Sequence, residues 1–85
     1  MALRSKEPVE SKVISDLLDA VKARWPDVRF KIGDMPEGEG TGIWAYTEGD
    51  FLDVCAAVAD IEFNAMIKHG VLAYVIPMPV ETWES

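Results

Sequence analysis

Apolar residues fall at helical spacing in the first third of the chain. Ile14, Leu17, Leu18, Val21 and Trp25 recur at i, i+3, i+4, i+7 and i+11, with Lys12, Asp16, Asp19 and Lys22 toward the opposite face. This spacing predicts a helix from Pro8 to Arg24, with Pro8 at its first position, where a missing N–H costs nothing, and Pro26 ending it. Val28 to Ile32 alternates with period 2 and predicts a strand, and β-branched and aromatic Ile43 to Thr47 predicts a second. Between them, Gly33 to Gly42 reads as a loop with four glycines and one proline, the turn of an antiparallel hairpin. Asp50 then suits an N-cap, Asp53 the N3 position, and Gly70 the residue just past a helix ending near His69. Val71 to Ile76 predicts a third strand stopped by Pro77.

The order α-β-β-α-β predicts an α+β two-layer sandwich: a three-stranded sheet with two helices on one face, in one domain spanning residues 1–85. Residues 1–7 and 80–85 are expected to be flexible or packed by a partner. If the last two strands are parallel, their crossover should be right-handed. In element order alone, the chain resembles split β-α-β domains. The expected core is Leu17, Leu18, Val21, Phe30, Ala59 and Phe63.

Only the first strand has a wet face, carrying Arg29 and Lys31; the second and third are apolar on both faces. The second helix is apolar around about two-thirds of its circumference, with Asp53, Ala57, Asp60, Asn64 and Lys68 in one narrow polar arc. Two helices cover one face of a small sheet, so apolar surface is left over, and such patches mark partner surfaces. The expectation is a homodimer with Trp44, Tyr46, Tyr74, Met78 and Trp83 in or near its interface. The competing arrangement is intramolecular, with the tail Val80-Glu81-Thr82-Trp83 folded back over the open sheet face.

Composition narrows the function classes. Hydrophobic residues make up 49% and charged residues 27%, an ordinary globular mixture. The single cysteine, Cys55, forms no internal disulfide and supplies no cysteine-rich zinc site, which favours a reducing cytoplasm. The start, Met1 to Pro8, has no apolar targeting core, and the longest apolar run, Val71 to Val80, is broken by prolines and is half the ~20 residues of a membrane helix. Residues 1–32 carry seven Lys/Arg and five Asp/Glu, whereas residues 33–85 carry one and ten. The resulting net charge of −7 argues against nucleic acid and anionic membranes as partners, even though Trp44, Tyr46 and Tyr74 alternate on strands as base-stacking aromatics do.

Three sets of residues invite a chemical reading. Cys55, Glu62 and His69 line up seven apart on the second helix, the residue types of a thiol hydrolase. Seven residues rise ~10.5 Å, beyond hydrogen-bond reach, so this row is not a catalytic set and Cys55 is expected to be a buried, inert thiol. Glu62 is the odd charge, set in the apolar arc. It needs a cation such as Arg29 or Lys31, or a place at the arc's edge that a partner covers. The glycine-rich loop has no Lys after its glycines, so it is no phosphate loop. Its carboxylates Asp34, Glu37 and Glu39, with Glu48 and Asp50 nearby, are oxygen ligands suited to Ca²⁺ or Mg²⁺, though without EF-hand spacing. No cofactor motif is present. The reading reached from sequence is a small non-enzymatic interaction or regulatory module acting as a homodimer or with another protein partner. The alternative is a small-molecule or divalent-metal-binding domain using the acidic loop.

Overall fold

A computed structural model describes residues 2–36, 38 and 40–83, with side chains from Val9 onward. The order is α1 (Ala2–Arg24), β1 (Arg29–Asp34), β2 (Thr41–Thr47), α2 (Phe51–His69) and β3 (Ala73–Pro79), followed by one 3₁₀ turn at Val80–Thr82. This is the expected α+β order. The sheet runs β1-β2-β3, with β1 antiparallel and β3 parallel to β2, and the helices pack together and against the sheet. The parallel pair needs a long crossover, and α2 supplies it.

Local chemistry sets the ends of α2. Asp50 accepts a hydrogen bond from the Leu52 N–H at 3.2 Å, capping the start. Gly70 adopts φ 67°, and its N–H donates to the Met66 carbonyl at 3.0 Å, an αL ending beside which the Val71 N–H reaches the Ala65 carbonyl at 3.2 Å. The hairpin is shorter than expected because both strands extend into it. The Met35 N–H donates to the Gly40 carbonyl at 3.2 Å. Gly40 has φ +112°, and a Cβ there would lie 2.6 Å from the Leu72 carbonyl oxygen, so only glycine fits.

β3 begins at Ala73, two residues later than expected, and two further boundaries differ at prolines. The first helix begins at Ala2, so Pro8 lies within it and not at its first position. A proline inside a helix forgoes the bond to the carbonyl four residues earlier, and its ring crowds that carbonyl; the residues before Pro8 are mostly good helix formers. β3 does not stop at Pro77 but runs through Pro79. The reason lies in which way its backbone points. The Thr41 N–H donates to the Leu72 carbonyl at 2.9 Å. In a parallel ladder, alternate residues turn both backbone groups toward the neighbour, so Leu72, Tyr74, Ile76 and Met78 face β2. Pro77 and Pro79 face away, where a missing N–H breaks no ladder bond.

The core joins Leu17 and Val21 of α1, Val54 and Val58 of α2, and Ile43 and Ala45 of β2, all essentially sealed from solvent. Leu18 and Phe30 are half-buried against it. Ala59 and Phe63, expected inside, are exposed, Phe63 at 59%. The apolar arc of α2 is wide enough to be turned inward in more than one way. Compact Val54, Val58 and Ala65 fit the narrow space beneath α2, which sends the bulkier side chains outward. Leu17→Ala is expected to cost about 2–5 kcal/mol. Phe63→Ala is expected to stay within about 0.5 kcal/mol, as an exposed position does. Urea unfolding of the two variants checks this helix rotation, and comparable losses would refute it.

Candidate functional site

With its rotation set by Val54 and Val58, α2 divides into three arcs. One is buried, and one is polar, carrying Asp53, Asp60, Asn64 and Lys68. The third is an exposed apolar stripe of Leu52, Ala56, Ala59, Phe63, Met66 and Ile67. Leu52 is 72% exposed and Ile67 64%. The stripe continues toward β3 across an apolar hollow of about 240 Å³, lined by Ala59, Phe63, Met66, Leu72 and Tyr74, with Glu62 on its wall. The sequence shows the breadth of the apolar arc, but the expected core placed Ala59 and Phe63 inward, and both belong to this exposed stripe.

Glu62 pairs with neither Arg29 nor Lys31. Its Oε2 accepts a hydrogen bond from the Val75 N–H at 2.7 Å. Val75 is one of the β3 residues whose backbone faces away from β2, so the carboxylate occupies the outer edge of the sheet. Burial pushes the carboxyl above the ordinary carboxylate range, and the Val75 hydrogen bond pulls it partly back. Together with Pro77 and Pro79, which have no N–H to offer, Glu62 makes this edge a poor template for an added strand.

The basic pair is used on the open sheet face. Trp83 meets Tyr46 edge-to-face with ring centroids 5.1 Å apart. The Arg29 guanidinium lies 5.5 Å from the Trp83 ring, and the Lys31 ammonium lies 5.2 Å from Trp83 and 5.4 Å from Tyr46. The tail folds back over this face, leaving Tyr46 only 7% exposed. Trp44, Met78 and Trp83 are half-buried, and Tyr74 is exposed beside the hollow. The structure thus divides the expected interface set: Tyr74 adjoins the α2 stripe, while Tyr46 and Trp83 pack on each other.

The other candidates do not converge. Cys55 is half-buried rather than buried, Glu62 is held by Val75, and His69 is exposed in the last turn of α2. Asp34 is exposed at the end of β1, and Glu37 and Glu39 lie outside the described residues. Among the described residues, no group of three or more His, Cys, Asp or Glu side chains is placed to hold a metal ion. A cleft of about 630 Å³ opens at the C-terminal ends of β2 and β3, lined by Thr47, Glu48, Asp50, Phe51, Met78 and Glu81. Thr47 Oγ1 accepts from the Gly49 N–H at 3.3 Å, and Asp50 is occupied in capping α2. Among the described residues, no helix is long and apolar enough to cross a membrane. No family model matches the chain, and no curated protein or solved structure is similar to it at a significant level.

The folded chain holds the Glu62 proton more tightly than the unfolded chain does. Lowering pH from neutral through the raised pKa toward the ordinary ~4.3 therefore adds stability from this group. Glu62→Gln keeps an oxygen acceptor for Val75 and removes the charge. It is expected to match or exceed wild-type stability at neutral pH, with the difference closing as pH falls. Glu62→Leu, which removes the acceptor, is expected to be about 1 kcal/mol less stable than the Gln variant. Chemical denaturation across this pH range checks both signs.

Proposed function

We propose that this protein is a non-enzymatic interaction module that acts as a homodimer, with the exposed apolar stripe of α2 and neighbouring Tyr74 as its contact surface. The observation that carries this reading is the stripe itself. Large apolar side chains stand clear of the core along one side of a well-capped helix, continuous with an apolar hollow. Closed two-fold pairing is the commonest assembly that buries one such patch on each copy. The open sheet face is a weaker candidate than the sequence implied, because Trp83 already covers Tyr46. Strand addition at β3 is opposed by Glu62, Pro77 and Pro79. A reducing cytoplasm suits the single thiol.

The second reading is a domain for a small molecule or divalent cation. It draws on the cleft at the C-terminal ends of the parallel pair β2 and β3 and on its acidic rim. A rise in melting temperature with Ca²⁺, Mg²⁺ or a metabolite would favour it.

Light scattering behind size exclusion over a concentration series tests the first reading. Wild type is expected to exceed the 9.4 kDa monomer mass at high concentration and to fall toward it on dilution. Ile67→Asp, at an exposed position, is expected to remain at 9.4 kDa with an unchanged melting temperature. A wild-type mass of 9.4 kDa throughout would overturn the homodimer.

A further inference from the structure

We infer that the outer edge of β1 is a docking site for an extended acidic segment of another protein, which adds to the sheet as an antiparallel strand. This site is separate from the α2 stripe and does not depend on the homodimer. β1 lies at the outside of the strand order β1-β2-β3. The Met35 N–H donates to the Gly40 carbonyl directly across the hairpin, which fixes the phase of the ladder. In an antiparallel pair alternate residues exchange both backbone bonds, so Arg29, Lys31 and Gly33 turn theirs to β2. Phe30, Ile32 and Asp34 turn theirs outward, and no backbone hydrogen bond among the described residues reaches them.

The two edges of the sheet are treated unequally. On β3, Glu62 takes the Val75 N–H, and Pro77 and Pro79 have none to offer. β1 contains no proline, and no described side chain takes its outward N–H groups. An open row of donors and acceptors at two-residue spacing matches a polypeptide backbone, which a nucleic acid or a simple anion does not supply.

Charge chooses the partner. Cations flank this edge on both faces. Arg29 and Lys31 stand on the open sheet face, exposed although they lie over the rings of Trp83 and Tyr46. Exposed Lys22 lies 6.0 Å from the Phe30 ring on the helix face. A ring contact does not neutralise a cation, and among the described residues none of the three has a salt bridge. Glu81 shares a shallow hollow with Arg29, and Asp34 ends the strand, which leaves the attraction strongest around Lys31. A second copy is the wrong occupant, because two paired β1 edges set Arg29 and Lys31 of one chain beside those of the other. The segment that fits carries acidic residues at alternate positions beside Arg29 and Lys31. Apolar residues between them cover Ile32, which is 51% exposed on the helix face.

Residue-resolved amide hydrogen exchange of the full chain tests this with blocked peptides that alternate glutamate with valine. At ~90% occupancy the peptide should slow exchange at Phe30 and Ile32 about tenfold and leave Val75 unchanged. Binding should weaken as salt rises. In the antiparallel pairing the peptide's valines bond to Phe30 and Ile32, so N-methylation of the valines should abolish protection and N-methylation of the glutamates should not. Ile32→Pro removes an outward N–H and breaks no bond to β2, as Pro77 and Pro79 do on β3, and should weaken binding about tenfold or more. Lys22→Glu and Lys31→Glu, at exposed positions, should weaken it too and improve binding of a lysine–valine peptide. Loss of protection on methylating the glutamates alone overturns the antiparallel direction. Equal binding of the lysine–valine peptide to wild type overturns the acidic partner. No protection at millimolar peptide, or protection that survives both N-methylated peptides, overturns the edge as a docking site. The α2 stripe is read separately, by Ile67→Asp.

Discussion

Leu17 and Val21 from α1, Val54 and Val58 from α2, and Ile43 and Ala45 from β2 meet in one contact from which water is excluded. A domain this small has little core to spare, so the shape of that contact decides how each helix is rotated. Val54 and Val58 on α2 and Leu17 and Val21 on α1 are buried together in one close-packed cluster. Turning α2 to bury Phe63 would lift Val54 and Val58 out of their packing and place Asp53 or Asp60 no better. The observed rotation sends Leu52, Phe63, Met66 and Ile67 to the surface as a consequence of close packing inside.

The same rotation places Glu62. It lies between the buried arc and the exposed stripe, one turn from Val58, where its carboxylate reaches the outward N–H of Val75. A charge in an apolar arc thus becomes a means of closing the free edge of a parallel strand. Pro77 and Pro79 continue that closure along the strand by lacking the donor altogether. Both devices work because a parallel strand turns alternate residues away from its single neighbour.

The two apolar surfaces that three strands and two helices leave over are treated differently. On the open sheet face the chain covers itself: Trp83 meets Tyr46 edge-to-face and is flanked by Arg29 and Lys31. That contact joins the far end of the chain to its first strand, and it uses the basic residues that a nucleic-acid reader would present to its ligand. On α2 the described part of the chain supplies no such cover, which is why the interaction reading is built on that helix and not on the sheet.

Sequence by itself determined the elements, their order, the antiparallel hairpin and the caps of α2. Those depend on neighbours within a few residues: period-2 and 3.6-residue patterns, Asp50 before a helix, Gly70 after it. It also revealed that apolar surface exceeds what one layer pair buries, since that is a matter of counting faces. Tertiary structure alone decided which third of α2 turns inward, because a helix apolar around most of its circumference offers several inward faces of similar hydrophobicity and only the shape of the opposing core chooses among them. It decided that β3 continues through two prolines, because whether a proline breaks a strand depends on which side the neighbouring strand lies. It decided, too, that Glu62 binds a backbone N–H and not a cation, since residues 62 and 75 meet only when α2 is laid against β3.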